Sequence, residues 1–199
     1  MKRFEILAEE VPYQGFFRLI QYRLRHSLFA GGMSQVLTRE LFCRTNCVAV
    51  VPYDPARDQV VLIEQFRVGT LRHPEDQKWM LEIVAGAIEE GETPEQVAHR
   101  ETWEEAGCKI LNLVKATEFY TSPGSSSEKI TLFLAQVDAQ EADGIHGLSE
   151  EHEDIKVHVV PFTEALAKVG DGTICSAIPI IGLLWLARER DRLRKLWTG

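Results

Sequence analysis

Residues 93–107 carry both ends of a helix in their own letters, and that segment restricts what the rest of the chain can build. Thr93 is a capping residue, Pro94 suits the first helical position, Gln96 completes a capping box, and Gly107 stops the run. The spacing predicts a helix over 94–106. Residues 79–84 before it read as a strand, and 85–92 as the loop between them.

Strand-like runs dominate elsewhere. Residues 4–11, 16–29 and 33–44 mix β-branched, aromatic and charged side chains, punctuated by Pro12, Gly15 and Gly31-Gly32, and predict an N-terminal antiparallel sheet. Residues 47–52 and 59–67 flank a turn-rich segment and predict a hairpin. Further strands are expected over 129–137 and 155–160, a short helix over 163–169, and a longer one over 176–196 beginning near Pro179. The polar stretch 138–154 is long for a plain connection. Many strands with few helices predict an α+β fold, an α/β/α sandwich on a mixed sheet. At 199 residues one main core is expected. Residues 1–45 hold too few apolar positions for a core of their own, so they are expected to add to the domain over 46–199 or to exchange with a partner subunit.

Asp and Glu outnumber Lys and Arg by 30 to 22, a formal charge of −8, which argues against non-specific binding to nucleic acid or an anionic membrane. The basic segment 188–195 reads as a solvated helix face. Apolar runs such as 178–187, broken by Pro179 and Gly182, fall short of a bilayer span. Glu5, Glu9 and Glu10 break the apolar run at the N-terminus, so no secretory signal is read and a cytosolic protein is expected. Cys43, Cys47, Cys108 and Cys175 lack the spacing of a disulfide framework or zinc site and are read as reduced thiols.

On the helix, Glu101, Glu104 and Glu105 fall on one stripe within a single turn. Like charges so spaced cost roughly 0.2–0.5 kcal/mol per pair, and carboxylates in a last turn also oppose the helix macrodipole. A hard divalent cation, magnesium or manganese, converts that repulsion into coordination. A solvated acidic face beside Arg100 is the alternative for such a helix taken alone.

The wider segment decides between them. Gly86, Glu92, Arg100, Glu101, Glu104, Glu105 and Gly107 fit, at every fixed position, the signature G-x5-E-x7-R-E-aliphatic-x-E-E-x-G-aliphatic, and the chain thereby resembles the Nudix hydrolase family. With each residue type at about 6–7% of average usage, such a match arises by chance roughly once in a million sequences. Thr102 and Cys108 depart at the aliphatic positions. The resemblance implies a strand–loop–helix in which Glu101, Glu104, Glu105 and the Ala85 carbonyl hold magnesium. It implies that Arg100 orients a neighbouring glutamate and that Gly86 and Glu92 set the loop. The implied reaction is hydrolysis of a nucleoside diphosphate linked to another group.

Outside the signature, residues 15–17, 39–42, 63–67, 81–86, 122–128, 144–148 and 151–160 are similar to the ADP-ribose pyrophosphatase branch. That resemblance implies that Phe16 stacks on adenine, Arg39 and Arg67 bind phosphate or its neighbours, and Glu128 contacts the terminal ribose. It implies Glu151 as general base, Glu153 as a further metal ligand, and a homodimer with a swapped N-terminal region, whose Phe16 and Arg39 complete the partner's site. Read as residues alone, Arg67 is either a surface charge or a guanidinium fork for phosphate. Phe16 and Phe17, adjacent on a strand, point to opposite sides, so at least one is expected in the core. The choice of base between Glu151 and a signature glutamate stays open. A hydrolase of another nucleotide sugar such as GDP-mannose, and a non-catalytic nucleotide sensor, are the competing expectations.

Overall fold

The computed structural model describes residues 1–72 and 78–198, apart from the side chain of residue 141. They form two compact units: Met1–Asn46 with Tyr120–Lys129, and Cys47–Phe119 with Ile130–Gly199.

In the first unit, β1 (Phe4–Gln14), β2 (Arg18–His26) and β3 (Leu37–Cys43) form an antiparallel sheet in chain order. β1 runs beyond the expected end at residue 11, through Pro12, because a register shift between Glu10 and Tyr13 releases the proline from the ladder. Gly31 and Gly32, at φ +94° and +76°, make the turn that delays β3 to Leu37. Residues 122–127 turn back onto β3, where Phe42 N–H donates to the Ser125 carbonyl at 2.7 Å.

The second unit is built on β4 (Cys47–Asp54), β5 (Gln59–Phe66), β6 (Trp79–Glu82), β7 (Val84–Ala87), β8 (Asn112–Tyr120), β9 (Lys129–Gln136), β10 (Ile145–His146) and β11 (Ile155–Pro161). The sheet order is β10-β11-β5-β4-β9-β8, with β6 beside β5 and β7 beside β4; β4 and β9 run parallel, so the sheet is mixed as expected. Helix α1 (Pro94–Ala106) covers one face; α2 (Phe162–Gly170) and α3 (Ala177–Thr198) cover the other. β4 is apolar from Cys47 to Tyr53 for that reason: Val48 and Val50 join Val97, Ala98 and Ala106 of α1, while Ala49, Val51 and Tyr53 join Leu183 and Leu186 of α3.

Three features differ from the sequence expectation. The hairpin of β4 and β5 is paired only at Tyr53↔Val60 and Asp54↔Gln59, and β7 takes up residues 47–50 of β4 instead. β7 lies partly where a loop was expected, since Ala85, Gly86 and Ala87 have little strand preference and are held through backbone pairing. β8 has no clean alternation of exposed and covered residues, and its period-2 signal is therefore weak.

Candidate active site

Thr93 caps α1 as the letters predict: Gln96 N–H donates to Thr93 Oγ1 at 3.3 Å, and Thr93 N–H to Gln96 Oε1 at 2.8 Å. Gly107 ends the helix at φ +65°. β7 lies against β4 with Ala49↔Ala85 and Val48↔Gly86, which sets the Ala85–Gly86 backbone beside α1. A Cβ on Gly86 would run into the Glu101 carboxylate, so glycine is what admits that side chain to the strand.

Around this contact the carboxylates gather. Glu105, 3% exposed, accepts from Ala85 N–H at 2.9 Å. Arg100 grips Glu92 with two nitrogens at 2.9 and 3.0 Å, and its Nη1 reaches Glu101 at 2.7 Å and Glu104 at 3.0 Å. One guanidinium thus offsets part of the repulsion between Glu101 and Glu104, while Glu105 lies outside its reach. Glu92 in turn accepts from Glu89 N–H at 3.1 Å, closing the loop before α1.

Burial raises the Glu101 carboxyl to about 7, against the Arg100 charge, with Glu104 and Glu153 adding to the rise. Burial likewise holds Glu105 well above the usual carboxylate range, opposed by the Ala85 N–H, reinforced by Glu101 and Glu153, and opposed again by Arg67. The Arg100 bonds keep Glu92 below that range. Glu153 and Arg67 therefore share the field of the α1 carboxylates. Glu153 accepts from Leu148 N–H at 3.2 Å, and Arg67, at the end of β5, is held by Glu82 of β6 at 2.7 Å. The sequence assigns Glu82 no role beyond its membership of the stretch 81–86, because its place beside Arg67 follows from the cross-strand register Ile63↔Glu82.

The polar stretch 138–154 comes to the C-terminal end of α1, where Gly147 N–H donates to the Glu104 carbonyl at 3.1 Å and His146 packs against Gly107. Glu151 is exposed at the end of a 3-10 turn (Ser149–Glu151), and among the described residues its carboxylate makes no hydrogen bond. A cavity of about 520 Å³ lies on the opposite side of the sheet, among Glu64, Trp79, His158 and Lys168, and contains none of the signature carboxylates. Chemistry places the candidate site on the α1 side.

The other three expected residues lie in the first unit. Phe16 is 96% exposed in the turn between β1 and β2, edge-on to Phe17, which leans on Phe42 at 4.8 Å. Neither Phe16 nor Phe17 enters the core, contrary to the strand argument: Gly15 N–H bonds the Phe17 carbonyl at 2.9 Å, so the pair sits in a turn where alternation does not apply. Arg39 is exposed on β3, with Nη1 on the Thr38 carbonyl at 2.8 Å. Glu128, 6% exposed, pairs with Arg44 at 3.0 Å and accepts from Thr121 Oγ1 at 3.0 Å.

A NUDIX domain model matches residues 44–174. The chain belongs to this family. Over 195 residues the Nudix chain is 47% identical to an ADP-ribose pyrophosphatase of Haemophilus influenzae, covering 97% of this chain and 90% of the relative. An ADP-ribose pyrophosphatase of Escherichia coli strain K12 is 46% identical over 194 residues, covering 98% and 92%. A GDP-mannose pyrophosphatase of Cronobacter sakazakii is 38% identical over 147 residues, covering 72% and 74%. A crystal structure described as an ADP compounds hydrolase superposes with a TM-score of 0.72 over 99% of this chain and 97% of that one; at 21% identity it shows the shared fold. This Nudix chain is a hydrolase.

The donors suit a divalent metal ion by chemistry and by charge. Glu101, Glu104 and Glu105 offer hard carboxylate oxygens, and Glu101 and Glu105 are buried beyond what Arg100 and Arg67 offset. Among the described residues, no three such side chains are grouped ready around one point; Glu101 and Glu104 lie on Arg100, and Glu105 on Ala85.

Proposed function

We propose that the protein hydrolyses the diphosphate of ADP-ribose to AMP and ribose 5-phosphate, with magnesium as the metal and manganese able to replace it. The observation that supports it most is the 47% identity, along 97% of the chain, to a protein named for that activity, together with the intact acidic signature. In this reading Glu101, Glu104, Glu105, Glu153 and the Ala85 carbonyl hold the metal. A divalent cation bound there would supply neutralisation of diphosphate charge and a more acidic water. Arg100 orients Glu101 and Glu104, and Arg67, kept in place by Glu82, binds the diphosphate through its remaining nitrogens. Glu151 takes a proton from the attacking water as a new P–O bond forms; the bridging P–O bond breaks, and its electron pair leaves with the departing phosphate. Exposure and freedom from other bonds suit Glu151 to a segment that closes over substrate. Phe16, Arg39 and Glu128 are assigned to the adenine, the phosphate and the terminal ribose on resemblance.

The protein is further proposed to be a homodimer with an exchanged N-terminal region, and cytosolic, a compartment that suits its four free cysteines. The Cronobacter relative supports a second reading, hydrolysis of GDP-mannose. Incubation of the pure protein with ADP-ribose, GDP-mannose and other nucleotide sugars, with and without magnesium, in isotopically labelled water tests substrate, metal and attacked phosphorus together. The first reading expects magnesium-dependent AMP from ADP-ribose, with label in one product. Preference for GDP-mannose by tenfold or more in kcat/KM overturns it, and tight nucleotide binding without turnover indicates a sensor.

A further inference from the structure

β5 sends alternate side chains to the two faces of the sheet. Val61 and Ile63 enter the core with α1, and Val60 and Leu62 the core with α3. Glu64 continues the second set: it lines the cavity on the far side and meets His158 at 2.8 Å. Gln65 continues the first set by strand alternation and is followed two residues later by Arg67, whose charge reaches Glu105. Glu82, the anchor of Arg67, stands across from Ile63 on the same face.

Gln65 is 7% exposed, and among the described residues its buried Nε2 has no hydrogen-bond partner. A carboxamide nitrogen brings two N–H donors, and burying them unpaired costs folding free energy that an apolar side chain of the same length would not. Its cross-strand partner, Met80, offers no strong acceptor. The carboxylates on this face are already engaged: Glu82 with Arg67, Glu105 with Ala85 and Glu153 with Leu148. The unfilled donor stands on the strand face that carries Arg67, and an anionic oxygen brought in beside Arg67 would supply the missing acceptor.

We propose that Gln65 is a substrate-binding residue whose Nε2–H donates to a non-bridging oxygen of the diphosphate, beside Arg67. This rests on the hydrolase reading above. Alternate residues on a strand face stand about 7 Å apart, so the amide and the guanidinium converge on neighbouring phosphoryl groups. In a water-poor site such a donor gains strength.

The test compares wild type with Gln65→Met, which keeps length and shape, and with Gln65→Leu, by steady-state kinetics on ADP-ribose with magnesium and by thermal unfolding. Loss of a hydrogen bond to a charged group lowers kcat/KM by about ten- to a hundredfold, carried largely by KM. Removal of the orphaned donor leaves the unfolding midpoint unchanged or raises it by about 2–4 °C. Unchanged kinetics in both variants overturn the inference, as does a fall in midpoint that accompanies the loss of activity, the mark of a structural role. Calorimetric titration with ADP separates the two readings. If wild type turns over no nucleotide sugar, the hydrolase reading fails, while an ADP affinity at least tenfold weaker in Gln65→Met still upholds the contact and an unchanged affinity overturns it.

Discussion

Thr102 occupies an aliphatic position of the signature, fully buried in α1, and among the described residues its Oγ1 has no hydrogen-bond partner. Valine has the same shape without the desolvated hydroxyl, so Thr102→Val is expected to stabilise the protein by about 1 kcal/mol, read as a higher urea midpoint at unchanged slope. A lower midpoint would show that the hydroxyl finds a partner in solution. Glu105 tests the acidic cluster more directly. Glu105→Gln preserves size and an acceptor for Ala85 N–H, so the fold is retained, while turnover falls by about two orders of magnitude or more through loss of the metal's charge stabilisation. Near-normal rates would remove the metal from the reading. For Glu151, replacement by Gln is expected to cut turnover by about 10²–10⁴-fold while magnesium binding, followed by calorimetry, persists. Lost binding with intact single-turnover chemistry would transfer the role of base to another group.

Elements are tied by charges as well as by apolar layers. Asp58, in the turn between β4 and β5, pairs with Arg190 of α3 and accepts from Tyr53 Oη at 2.8 Å. The Arg190 bonds hold the Asp58 carboxyl below its ordinary range despite partial burial, and Tyr53 adds to the effect. A carboxyl lowered in the folded state binds fewer protons there than in the unfolded chain, so its stabilisation is complete above the unfolded value of about 3.9 and fades as pH falls through the folded one. Asp58→Asn is therefore expected to be less stable than wild type at pH 7, with the gap narrowing below about pH 4 in urea unfolding. A gap constant down to pH 2 would rule the ion pair out as its source. Elements also differ in how far their letters announce them. α1 is legible to the residue because caps are local chemistry. β7 and β8 are not, since small residues and an irregular burial pattern leave pairing with β4 and β9 as what holds them.

For the whole molecule, the same division between local and distant information runs through the candidate site. Arg100, Glu101, Glu104 and Glu105 lie within six residues and could be read together, whereas Glu82 as the anchor of Arg67, and Gln65 as a buried donor, depend on a register that no short stretch encodes. Phe16 misled the strand argument because a turn suspends alternation. A dimer with exchanged N-terminal regions should sediment as a single species of twice the chain mass, and dilution to the monomer should lower specific activity; full activity in a stable monomer would count against the exchange. The segment 79–87 carries a last implication. It delivers Glu82 to Arg67 at one end and Ala85 to Glu105 at the other, while Ile83 and Val84 between them drop into opposite cores. Its length is thus a gauge setting the gap between cation and anion, and one residue inserted between Glu82 and Ala85 would turn the layers inside out and uncouple the two ends.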